Sequence, residues 1–146
     1  MSLAAKLRRA PGRIAAGAFI LNSGVGKLSA DSTTAEGVHA TAANAYPILK
    51  KVEPRLFIKA LAVSEIAVGS VLLLPVAPAG LAGIALTGFA GALVGMYVRT
   101  PAMHDRYLRP KGPGVAIAKD TWMLGIGTGL VIDAALSESR VTRTED

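Results

Sequence analysis

Glu65 is the only charged residue between Ala60 and Val98. A carboxylate in such an apolar run has to be protonated, paired or hydrogen-bonded, because an isolated charge in hydrocarbon is costly. Lys27 and Arg99 are the cations that can reach it. Asn22, Ser23, Asp120 and Trp122 are the other polar or amphipathic residues whose positions can fall beside it. His104, Asp105 and Arg106 follow Arg99 closely enough to close the mouth of such a cluster. Three kinds of chemistry remain open for this set. It can be an internal ion-pair network that fixes helix register. It can be the polar end of a pocket for a small amphipathic molecule, such as a quinone, a lipid headgroup or an acyl-linked metabolite. It can also relay protons, although one acid and a loop histidine make a thin chain.

Positioning these groups requires membrane-length helices. A span needs roughly 20 apolar residues, so Ala60–Val98 is long enough for two. Pro75-Val76-Ala77-Pro78 supplies the break, since proline lacks the N–H that a helix interior uses. Hydrophobic residues make up 51% of the chain and charged ones only 18%, which weighs against a soluble domain. The expected fold is an all-α membrane protein, a four-transmembrane-helix bundle forming one domain over residues 1–146. Its spans lie at about 11–30, 56–74, 79–98 and 115–136. Arg13 and Lys27 are expected to snorkel, and Lys119, Asp120 and Asp133 to sit near the interfaces or face the bundle. The basic, apolar N-terminal stretch resembles a secretory signal, but the spans that follow favour a retained helix.

An even number of spans puts both termini on one side and the longer connections, 31–54 and 99–114, on the other. The first helix has Lys6, Arg8, Arg9 and Arg13 on its N-terminal flank and no acid. The side with the longer connections carries more Lys and Arg in total, so the positive-inside rule is mixed, but the first helix usually dominates and favours both termini in the cytoplasm of a bacterial plasma membrane. At ~1.5 Å of rise per residue, Glu65 lies roughly 14 Å inside, level with Asn22 and about a turn below Lys27. Arg99, Asp120 and Trp122 fall at the same end, with Trp122 also suited to an interfacial anchor. Asp105 is expected to pair with Arg106 or Lys27, which leaves positive charge for an anionic headgroup or acidic partner. In the 31–54 connection, Asp31 or Ser32 can cap a short surface helix ending near Ala45, with His39 solvated and Tyr46 at headgroup depth. Small residues at every fourth position (Ala79, Gly83, Thr87, Gly91 and Gly95, then Thr121, Gly125 and Gly129) are expected to form the packed faces. These faces favour packing within the chain over a homo-oligomer.

Several classes drop out. There is no cysteine, so thiolate or dithiol chemistry and cysteine–metal sites are excluded. Two distant histidines make no metal site, and no catalytic constellation emerges. The net charge of +6 has no basic soluble domain to carry it, so anionic lipid is the expected partner and nucleic acid is not.

RIAAGAFILNSGVGKL, the glutamate-bearing second span, and RTPAMHDRYLRP followed by GVAIAKDTWMLGIGTGLVID together resemble the DoxX-like family of small bacterial membrane proteins. The resemblance runs from about Arg13 to Asp133, and its alanine-rich composition is similar to that of actinobacterial members. The Ser23-Gly24-Val25-Gly26-Lys27-Leu28 element and Glu65 carry it best. It implies a four-helix integral membrane bundle associated with membrane oxidoreductase or oxidative-stress complexes. Without cysteine, this chain would serve such a complex as a non-catalytic anchoring or accessory subunit. The alternative is a bundle that holds a quinone or lipid at Glu65.

Overall fold

The computed structural model describes residues 3–142. They form α1 (Leu3–Leu28), α2 (Ser32–Ala45), α3 (Pro54–Leu73), α4 (Ala79–Arg99), α5 (Gly114–Ala118) and α6 (Asp120–Thr142), with short 3₁₀ turns at Pro47–Lys51 and Pro101–Met103. No strand occurs among the described residues, which contain only one isolated bridge, His104 to Pro110.

Local chemistry sets the helix starts and stops. Asp31 caps α2, its carboxylate accepting the Thr34 N–H at 2.8 Å. Glu53 caps α3 by accepting the N–H groups of Arg55 and Leu56 at 3.0 and 2.8 Å, and Pro54 occupies the first turn, where no N–H is needed. These bonds, that from Arg55 first, hold the Glu53 carboxyl below its usual range. The proline turn at 75–78 separates α3 from α4 as expected. The segment expected over 115–136 is interrupted at Lys119, between α5 and α6.

Three segments are long and apolar enough to cross a membrane: Pro54–Leu73, Ala79–Arg99 and Gly114–Ser137. The expected count of four is not reached by this measure. α1 has the length, but it begins at Leu3, runs through Pro11 and so takes in Lys6, Arg8, Arg9 and Arg13. Its uncharged stretch is also rich in Gly and Ala, which dilutes hydropathy.

Most interhelical contact lies within two pairs, α1 with α3 and α4 with α6. Glycine allows each close approach. A Cβ added at Gly69 would lie 2.7 Å from the Leu21 nitrogen, and one at Gly83 would lie 2.8 Å from the Gly127 oxygen. The expected stripes are corrected here. Gly91, Gly125 and Gly129 meet nothing within 4 Å, and Gly127, outside both stripes, makes the contact on α6. A strict every-fourth pattern drifts about 40° around a 3.6-residue helix at each step, so one row cannot stay on one interface. The buried core consists of Ala16, Ile20, Leu72, Ala82, Leu86, Ala90, Met123 and Leu130.

Candidate functional site

Between the two helix pairs lies a cavity of about 530 Å³. α1 contributes Phe19, Ser23 and Lys27, and α3 contributes Phe57, Leu61 and Glu65. α4 contributes Phe89, Leu93 and Met96, and α6 Asp120 and Met123. α2 closes the top through Val38, Thr41, Ala42 and Tyr46. α2 is the short helix expected here, and its inner face is buried through Ala35, Ala42, Ala43 and Ala45, because the helix packs over α3 and α4.

The polar end of the cavity is built from α1 and α3. Lys27 Nζ donates to Glu65 Oε2 at 2.9 Å and to Ser23 Oγ at 2.6 Å. Ser23 and Lys27 are one helical turn apart, so both face α3, and Gly24 between them lets the backbones close on Glu65 and Ile66. Glu65 is 6% exposed. Asp120, at the start of α6, is 5% exposed. Its carboxylate makes no hydrogen bond or ion pair among the described residues. The neighbouring Lys119 lines the same cavity and attracts that carboxylate through space, with its ammonium 4.5 Å from the centre of the Phe19 ring. Asp120 and Phe19 also line a second, outward-facing groove of about 270 Å³ between α1 and α6, shared with Trp122.

The other expected members of the cluster lie elsewhere. Asn22 is exposed and off the cavity, because it stands one position, about 100°, from Ser23. Arg99 is not a partner of Glu65. It is exposed and stacks 4.8 Å from the Tyr46 ring centre, at the far end of α4. Tyr46 in turn donates its hydroxyl to the Ala92 carbonyl at 2.8 Å, so it latches the end of α2 to α4. His39 is half-buried, donating from Nε2 to Leu49 O at 2.9 Å with its ring edge-on to Phe57. Trp122 is 76% exposed and lines only the outer groove.

The 99–114 loop is tied down by its own backbone. Asp105 pairs with neither Arg106 nor Lys27. Its carboxylate accepts the N–H groups of Tyr107 and Arg109 at 2.8 and 2.9 Å. These bonds, that from Arg109 first, hold its carboxyl below the usual range. Both ring nitrogens of His104 face carbonyls, those of Asp105 and Val98. Arg106 and Arg109 both stack on Tyr107. The turn places Leu108 at φ 59°, and Tyr97 donates its hydroxyl to the Leu108 carbonyl.

The opposite end of the bundle holds a cluster that sequence reasoning missed. Arg13 does not snorkel. Its guanidinium donates to the carbonyls of Leu72, Val71, Leu74 and Ala77 at 2.8, 3.0, 2.7 and 3.1 Å. These carbonyls belong to the end of α3 and the turn after it, where a helix has orphan acceptors and a partial negative charge. Arg8 and Arg9 both bind Asp133 of α6. The available signal was the placement of Arg13 opposite the unpaired end of the second span.

Comparison with protein-family models, curated proteins and solved structures finds no match to this chain.

Proposed function

We propose that this protein is a four-span integral membrane bundle whose cavity holds a small amphipathic molecule, a quinone or a lipid, with its polar head at the Lys27–Glu65 pair. One observation carries the reading: the cavity of about 530 Å³ is apolar over most of its wall and ends at an ion pair. Cavities of roughly 300–1,000 Å³ with a few convergent polar groups are typical of small-molecule sites. Lys27 offers a hydrogen-bond donor to a carbonyl or phosphate head, and Phe19, Phe57 and Phe89 offer ring surface to an aromatic head or chain.

The membrane placement rests on the three apolar segments plus α1. At ~1.5 Å per residue, the 26 residues of α1 are long enough to cross. The two charges that bound its apolar stretch meet protein groups: Arg13 meets the end of α3 and Lys27 meets Glu65. Both termini then lie on the cytoplasmic side. The DoxX-like resemblance supports the same architecture. It extends the reading to a non-enzymatic partner within a bacterial membrane redox assembly, where the bundle would dock a protein partner and retain the quinone.

The test is purification in gentle detergent, solvent extraction and mass spectrometry of what co-purifies. A quinone or lipid should be retained at near-stoichiometric amounts, and Leu61→Trp, which fills the cavity, should release it. A folded wild-type protein that yields no bound amphiphile would end this reading.

A further inference from the structure

Resting on the reading just given, the cavity carries a second feature that narrows what it accepts. Of the two carboxylates at its polar end, Glu65 has a partner, the Lys27 ammonium at 2.9 Å. The Asp120 carboxylate has neither hydrogen bond nor ion pair among the described residues, although the residue is 5% exposed. Its neighbour Lys119 acts on it only through space and rests on the Phe19 ring. Asp120 lines the cavity, and the outer groove that it also borders is walled almost entirely by apolar atoms, so a guest meets its carboxylate from within the cavity.

A buried acceptor left without a donor costs free energy, and the cost disappears when a donor arrives. An acid-headed amphiphile would add a third carboxylate to Asp120 and Glu65 and leave Asp120 without a donor, whereas a hydroxyl or ammonium head supplies what is missing. We propose that Asp120 is a specificity-determining residue, and that the cavity selects amphiphiles whose head donates a hydrogen bond, as an alcohol, a quinol or an amine does, and rejects those with a carboxylate head. Among quinones, this favours the reduced, hydroxyl-bearing form.

The experiment uses the full chain in phosphatidylcholine nanodiscs with three probes of equal chain length: 1-decanol, 1-decylamine and decanoate. Thermal unfolding is followed by the fluorescence of Trp122, the single tryptophan. Decanol and decylamine should each raise the midpoint by roughly 5 °C at saturation, and decanoate should not. Asp120→Leu should abolish both gains. Asp120→Asn, which keeps an acceptor but no charge, should keep the decanol gain and lose most of the decylamine gain. This second variant preserves the test if the leucine variant does not fold. Decanoate binding as well as the donors, or gains that survive in both Asp120 variants, overturns the inference and leaves the cavity reading standing. No gain from either donor probe also overturns it. If, in addition, no amphiphile co-purifies with the wild type, the reading beneath it falls too.

Discussion

The two ends of the bundle bury charge in opposite ways. At the Arg13 end the guanidinium is spread over four backbone carbonyls, and Arg8 and Arg9 share Asp133. The local depression there, lined by Lys6, Arg9, Arg13 and Pro75 among others, is about 230 Å³. At the Glu65 end Lys27 forms an ion pair with one of two carboxylates, Lys119 attracts the other only through space, and the space beside them is more than twice as large. Fixed backbone acceptors lock a cation in place. A side-chain pair facing a void leaves acceptor capacity for something else. The first arrangement joins α1 to α3 and α6, and the second has room for a guest.

Arg13→Ala should produce the largest stability change. It strips donors from four carbonyls at once, and hydrogen bonds to a charged group contribute about 1.5–3 kcal/mol net, so a loss of about 3 kcal/mol is expected by thermal or urea unfolding in detergent. Arg13→Lys should recover only part, because an ammonium is a point donor and lacks the planar fork. A stable Arg13→Ala protein would erase the contrast between the ends.

Glu65→Leu should cost less, about 2 kcal/mol. Breaking a fully buried pair costs about 3–5 kcal/mol, but the Lys27 side chain is 23% exposed and can turn towards water. Glu65→Gln keeps an acceptor for Lys27 and should be better tolerated. Equal losses for Gln and Leu would mean that charge, and not hydrogen bonding, holds this end.

Next comes the glycine packing shared by both ends. Gly83→Ala forces a methyl against the Gly127 carbonyl and should cost about 1–2 kcal/mol. Gly125→Ala meets nothing and should be neutral or slightly stabilising through helix propensity. The reverse ranking would mean that α4 and α6 do not pack as described.

The smallest effect is local and depends on pH. Asp105 has a lowered carboxyl pKa in the folded loop. Its contribution is therefore fully present above the unfolded value, near 3.9, and is lost as pH falls through the lower folded value. Amide exchange at Tyr107 and Arg109, corrected for intrinsic rate, should accelerate only in that acid window. Protection that already fails near neutral pH would assign the loop's order to other bonds.

The helical architecture was legible because the sequence states it in long apolar runs punctuated by proline. Lys27 and Glu65 were legible as partners because few charges can reach that depth. Asn22 and Arg99 were misplaced for a common reason: depth along a helix was read correctly, but rotation about it was not. Arg13 was misread because the rule that terminal cations reach for water ignores the orphan carbonyls of a neighbouring helix end. A pocket with its polar end at Glu65 was one of three readings open to the sequence, but its size and walls were not legible. They arise from how far two helix pairs stand apart, and no single residue or spacing encodes that distance.

The pairing of α1 with α3 and of α4 with α6 has a mechanical consequence. Each pair is clamped by backbone-to-backbone contact at glycine, while the two pairs meet through side chains, in the core shared by all four long helices and around the cavity. Spacing within a pair is therefore fixed by backbone, and spacing between pairs by side chains that have more than one rotamer. A change in the width of the chamber would ask only the side chains at that seam to repack, with every helix intact.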